Sequence, residues 1–202
     1  MENIDSINRL ISDYKKLPGI GNKTAERLSY ATLNFTKEEL QTFVLDLQNV
    51  IDRVHRCPRC GMNIDTPNCP ICDDLNRDNS ILMVLTNSKS VLSFEKTKKY
   101  FGKYFILGGS ISPIKGITAN DVRIPELVEY VKENNIKEVI VSCDSTLEGE
   151  ITSQYIFNSL NPLNIKVTRL AYGLPIGADL EYIDEKTIEL SLSSRKEMKG
   201  GN

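Results

Sequence analysis

Cys57, Cys60, Cys69 and Cys72 form two Cys-x2-Cys pairs separated by eight residues. Each pair can place two thiolates on one ion, and four thiolates satisfy the tetrahedral preference of zinc. Soft sulfur ligands select zinc or an iron–sulfur centre over magnesium or calcium. Pro58, Gly61, Pro67 and Pro70 suit the tight turns of such knuckles. Four protein ligands leave no open position for a substrate, so the expected role is structural. So short a module has no independent core, and metal binding is expected to supply its folding free energy. A redox dithiol pair and an iron–sulfur site are the competing readings. His55, two residues before Cys57, is read as lying on the preceding helix or facing DNA or solvent rather than as a ligand. Cys143 stands alone and reads as a small packed side chain.

A second pattern runs from Leu17 to Leu28, Leu-Pro-Gly-Ile-Gly-Asn-Lys-Thr-Ala-Glu-Arg-Leu. Gly19 and Gly21 around one apolar residue predict a tight turn, where glycine permits positive φ and close backbone approach. The helix that follows presents unpaired N–H groups at its start, which favour a phosphate. Lys23 and Arg27, four residues apart, share one helical face beside those amides. Ile20 and Leu28 are expected to pin the two helices together from inside. Between Arg9 and Arg27 there are five basic residues and two acidic ones. The bland alternative is a helical hairpin without a ligand. A phosphate-binding P-loop does not fit, because Asn22 separates Gly21 from Lys23 and a helix precedes the turn.

These motifs sit in a chain of 202 residues that is 40% hydrophobic and 26% charged, with a formal charge of −2, one His and five Cys. That length allows one ordinary domain or a core domain with smaller modules. Near-neutral charge excludes a globally basic coat for nucleic acid, so binding must come from a local patch or from an assembly that gathers patches. The longest apolar run, Ile81–Leu85, is far short of a membrane span. The N-terminal residues lack the layout of a signal peptide, which predicts a soluble intracellular protein. An odd number of cysteines cannot all pair, and four clustered ones in such a setting read as metal ligands.

Residues 4–56 carry helical periodicity. Ile4, Ile7, Leu10, Ile11 and Tyr14 step by three and four. The helical pattern resumes from Lys23 to Asn34, and Thr36 with Glu39 predicts a capping box. The helix it starts has an apolar face of Leu40, Phe43, Val44, Leu47, Val50, Ile51 and Val54. From residue 80 the texture changes. Strands are predicted at Ile81–Leu85, Lys103–Leu107, Glu138–Ser142 and Ile165–Leu170, with helices near 90–98, 122–134 and 147–160. Such alternation predicts an α/β layer with a largely parallel sheet. One more helix is expected from Asp184 to about Glu197.

The Leu17–Leu28 pattern is similar to the helix-hairpin-helix motif of DNA-binding proteins, which grips phosphates without reading sequence. The order of hairpin, four-cysteine knuckle and α/β region resembles the bacterial RecR family of recombination mediators. The stretches Lys103–Gly109, Ser112–Ile117, Thr146–Thr152 and Arg169–Tyr182 carry the same resemblance, which spans nearly the whole chain. It implies four segments: a helix-hairpin-helix domain over 1–56, a zinc-finger module over 57–78, a Toprim-type α/β domain over 79–172 and a C-terminal oligomerisation segment over 173–202. It also implies a ring, expected to be a tetramer, that joins RecO-type and RecF-type partners to load RecA recombinase on gapped DNA. The setting it implies is cytoplasmic, at the bacterial nucleoid. Gly19, Gly21, Lys23 and Arg27 would bind DNA, and the four cysteines would hold zinc.

Catalytic Toprim domains hold magnesium with a Glu after the first strand and an Asp-x-Asp after a later one, since that ion demands oxygen ligands. Here Thr86 follows Ile81–Leu85, and Cys143-Asp144-Ser145-Thr146 keeps one Asp of the pair. Glu148 and Glu150 add charge without the spacing. No catalytic residue is assigned, and a magnesium-dependent Toprim nuclease or topoisomerase-like enzyme is the disfavoured alternative. A zinc adaptor that binds only proteins is a third reading. Asp144 and Glu148 are candidates for an acidic surface that meets a basic partner, or else acidic residues that cap the helix starting near Thr146. The stretch from Gly173 to Tyr182, followed by Asp184-Glu185, resembles the family's C-terminal segment, which is sometimes likened to a Walker B element. No Walker A lysine motif accompanies it, so ATP hydrolysis is not expected. Gly173, Pro175 and Gly177 read instead as a loop shaping an intersubunit contact.

Overall fold

The structure, a computed structural model, describes residues 4–197. Met1–Asn3 and residues 198–202, the outer ends of the first and last expected segments, lie outside the described residues. Two compact units meet in the chain between Val54 and His55.

The first unit is helical. Helix α1 (Asp5–Tyr14) and helix α2 (Asn22–Ala31) flank the glycine turn, and the end of the second predicted helix tightens into a 3-10 turn at Thr32–Asn34. In this hairpin the deepest burial falls on other residues than the expected pair. Ile7, Ala25 and Ser29 are buried, whereas Ile20 and Leu28 are only half-buried. Ala25 and Ser29 stand one turn apart and are small, so the helices approach along them. The Ser29 hydroxyl meets its own hydrogen-bonding need at the Ala25 carbonyl, 2.9 Å away. Helix α3 (Lys37–Arg53) starts with the predicted capping box: Glu39 N–H donates to Thr36 Oγ1 at 3.2 Å, and Thr36 N–H donates to Glu39 Oε2 at 2.8 Å. Its apolar stripe, however, is uncovered. No residue of α3 is buried, and Ile51 is 81% exposed.

The second unit opens with a small hairpin, β1 (His55–Arg56) antiparallel to β2 (Asn63–Ile64), around the first cysteine pair. A four-stranded parallel sheet follows, built from β3 (Asp78–Leu85), β4 (Gly102–Ile106), β5 (Glu138–Ser142) and β6 (Lys166–Arg169) in the order β4-β3-β5-β6. Helices α4 (Val91–Thr97), α5 (Ile124–Glu133) and α6 (Leu147–Leu160) connect them. Leu85 pairs with Ile106 on one side and Ser142 on the other. Because the order reverses at β3, the crevice beyond the ends of β3 and β5 is where a ligand would sit in such a sheet.

Side chains alternate across the sheet. Leu82, Val84, Phe105, Val139 and Val141 face one core with Ile124, Leu127 and Val131 of α5 and Ile156 and Leu160 of α6. Met83, Leu85, Tyr104 and Ile106 face the other, and there they pack with Cys57, Cys60, Cys69, Ile64 and Ile71. The cysteine module, expected to lack an independent core, therefore shares one with the sheet. Helix α7 (Glu185–Ser193) is shorter than predicted; it starts at Asp184, whose carboxylate accepts from Thr187 N–H at 2.9 Å.

Candidate functional site

The four cysteine sulfurs lie within 4.8 Å of one another, with Cys57 to Cys72 at 4.0 Å and Cys60 to Cys69 at 3.6 Å. Tetrahedral zinc–sulfur bonds of about 2.3 Å would set neighbouring sulfurs roughly 3.8 Å apart, so the cluster fits a single zinc ion. His55 and Cys143 are not in the cluster. His55 sits on β1 rather than on α3. Cys143 is half-buried, and burial pushes its thiol up.

The cluster is primed to ionise in part. Hydrogen bonds from the Cys60 thiol, with help from Cys69, Arg59 and Cys57, draw Cys72 down to about 6. The hydrogen bond to Cys72 pushes Cys60 up, and burial pushes Cys69 up. One thiolate is thus stabilised by neighbours that resist following it, and a cation is what allows all four to ionise.

Four further residues fix the knuckles. The Arg59 guanidinium pairs with Asp73, whose other oxygen accepts from Cys69 N–H at 2.8 Å. That ion pair holds the Asp73 carboxyl below its usual range. Lys103 on β4 is only 6% exposed, and its Nζ donates to the carbonyls of Ile71 at 2.9 Å, Cys72 at 3.1 Å and Asp74 at 2.8 Å. Arg123, at the start of α5, donates to the carbonyls of Pro58 at 3.1 Å and Arg59 at 3.3 Å. No motif marks these residues; the only sequence signal is a lysine inside an otherwise apolar strand.

In the first unit, Gly19 adopts φ +81° and so needs glycine's freedom at the turn. Gly21 does not: it caps α2 in extended conformation, with no side chain closing the helix start. Lys23 and Arg27 both stand exposed on α2. The turn, the open helix start and two cations together make a shape suited to a phosphate.

At the ends of β3 and β5, Thr86 and Asp144 meet across 58 residues of sequence. The buried Thr86 hydroxyl donates to Asp144 Oδ2 at 3.0 Å. Thr146, not Asp144 or Glu148, caps α6, its hydroxyl accepting from Gly149 N–H at 3.1 Å. Glu148 stands in the first turn of α6, where its charge suits the helix dipole. Glu150 is taken up by Arg169 at 3.2 Å and by the Tyr172 hydroxyl. Thr86 thus offers a neutral hydroxyl where a catalytic Toprim domain would offer a carboxylate, and that hydroxyl occupies Asp144 Oδ2.

Three family models match the chain: "RecR, helix-hairpin-helix" over residues 7–51, "Toprim domain" over residues 80–171 and "RecR, C-terminal" over residues 173–196. The chain is 42% identical over 194 residues to Recombination protein RecR of Staphylococcus haemolyticus, covering 96% of this chain and 98% of that protein. Recombination protein RecR of Staphylococcus aureus strain MRSA252 shows the same identity and coverage.

Proposed function

The chain belongs to the RecR family of recombination proteins, and from that premise we propose that it acts in DNA recombination and repair as a non-enzymatic mediator. It binds DNA without sequence specificity, as a ring-like clamp. With RecO-type and RecF-type partners it helps load RecA recombinase on gapped DNA. The observation that carries the DNA reading is the open start of α2 beside Lys23 and Arg27, below a turn that requires Gly19. These groups contact phosphate and carry no base-reading geometry, so affinity is expected to be indifferent to sequence. The four cysteines hold zinc, which supplies rigidity and no chemistry. The domain limits 1–56, 57–78, 79–172 and 173–202 serve this division of labour.

Two features favour assembly into a homo-oligomer, a tetramer in this reading. The α3 stripe exposes Phe43, Val44, Leu47, Val50 and Ile51, more apolar surface on one helix than a lone chain ordinarily presents. The loop holding Gly173, Pro175 and Gly177 is flanked by Leu174, Ile176, Leu180 and Tyr182, all exposed. Assembly would gather several basic hairpins around one opening and reconcile DNA binding with a net charge of −2. Asp144 and Glu148 remain candidates for the partner-facing acidic surface. The reading also places the protein in the bacterial cytoplasm, at the nucleoid. Among the described residues no helix is long and apolar enough to cross a membrane.

The test is a titration of labelled DNA of two unrelated sequences over a series of salt concentrations. Equal affinities are expected, with log affinity falling linearly against log salt. A strong preference for one sequence, or affinity that ignores salt, would contradict phosphate-directed binding.

A further inference from the structure

Lys103 is a buried cation with no carboxylate in contact, and the acids whose titration it influences, Asp73 and Asp74, are themselves engaged by Arg59 and Arg77. Its three N–H donors meet three carbonyl oxygens, and among the described residues no carboxylate lies within ion-pair distance of it. Carbonyl dipoles satisfy the hydrogen bonds of an ammonium but not its net charge, and a buried charge without a contacting partner is costly. All three carbonyls belong to the second cysteine knuckle, one of them to the ligand Cys72 itself. A zinc ion with four thiolates would be doubly negative; Arg59, more exposed, already favours the Cys72 thiolate, and Lys103 is the buried cation bonded to that ligand's own carbonyl. Arg123 mirrors the arrangement at the first knuckle, holding the two residues between Cys57 and Cys60 by their carbonyls. The first knuckle comes so close that a Cβ on Gly61, itself at φ +77°, would meet Ile106 O at 2.6 Å.

We infer that Lys103 and Arg123 are positioning residues of the metal centre. From the α/β layer each fixes one knuckle by its backbone, and Lys103 supplies the buried positive charge that balances a zinc tetrathiolate. The inference rests on the reading of the four cysteines as a zinc site. Partners of this kind, which touch the ligands rather than the metal, change metal affinity by about 10- to 100-fold when removed.

The experiment follows zinc release from the full-length, zinc-loaded chain to a colorimetric chelator. Lys103→Gln keeps a hydrogen-bond donor and removes the charge, Lys103→Arg keeps the charge, and Arg123→Met removes the hold on the first knuckle. Release is expected to be roughly tenfold faster or more for Lys103→Gln and Arg123→Met, and near the wild-type rate for Lys103→Arg. In the cobalt-substituted protein the sulfur-to-metal charge-transfer band is expected at longer wavelength in Lys103→Gln alone, because losing a nearby cation raises the thiolate electrons in energy. A merely packing role would leave that band in place. Wild-type release rates in both Lys103→Gln and Arg123→Met would overturn the positioning role, and if Lys103→Gln fails to fold, a wild-type release rate in Arg123→Met overturns it. A wild-type chain that binds no zinc would instead overturn the metal reading beneath it.

Discussion

Cys60→Ser with Cys69→Ser is expected to yield a chain that retains no zinc and melts at a markedly lower temperature. These are the most deeply buried ligands, at 0% and 1% exposure, and they pack against Met83, Leu85, Tyr104 and Ile106 of the sheet. A hydroxyl is a poor substitute for a soft thiolate. The remaining two sulfurs cannot close a tetrahedron. Zinc supplies about 10–16 kcal/mol to isolated finger peptides, and the shared core here reduces that dependence. A loss of only about 4 kcal/mol would still lower Tm by roughly 8–16 °C in a chain of this size. Elemental analysis should fall from one zinc per chain to none, with calorimetry recording the shift, while Cys143→Ser changes neither. Full zinc content in the double variant would contradict the four-thiolate assignment.

Lys23→Ala with Arg27→Ala is expected to weaken DNA binding sharply without changing helicity or zinc content. Both side chains are exposed on α2, so little packing is lost on truncation. Each lost phosphate contact should lower the salt slope by about one unit for every subunit engaged. In a ring, several subunits lose contacts at once, which multiplies the effect on affinity. Gly19→Ala should act in the same direction by another route, since φ +81° strains any residue with a Cβ even though open space surrounds it. Unchanged affinity and slope in the double variant would remove the hairpin from the DNA surface.

Local signals carried much of the fold. The capping box at Thr36 and Glu39 forms as its spacing predicts, and β5 spans the same residues, Glu138–Ser142, as the strand predicted there. Strand β3 begins three residues before its apolar run, because Asp78, Asn79 and Ser80 enter the sheet through a bulge that hydrophobicity does not mark. The knuckle spacing was likewise enough to bring four sulfurs together. What residue types do not disclose is which faces meet over long separations. The α3 periodicity foretold an apolar stripe but not that it would stay uncovered. The hydrogen bond from Thr86 to Asp144 and the three from Lys103 to the second knuckle join residues far apart in sequence, and no local pattern encodes them. Small side chains set the α1–α2 seam because close approach, rather than side-chain size, decides a short helical hairpin.

The account turns on one chain joining assembly, zinc and phosphate binding. Its most direct test is the native mass and the DNA affinity of a single zinc-loaded sample, measured with and without a RecO-type partner. The expected result is a homo-oligomer of defined mass, one zinc per chain, that binds DNA of unrelated sequence alone or with the partner. A stable monomer that binds no DNA in either condition would contradict it.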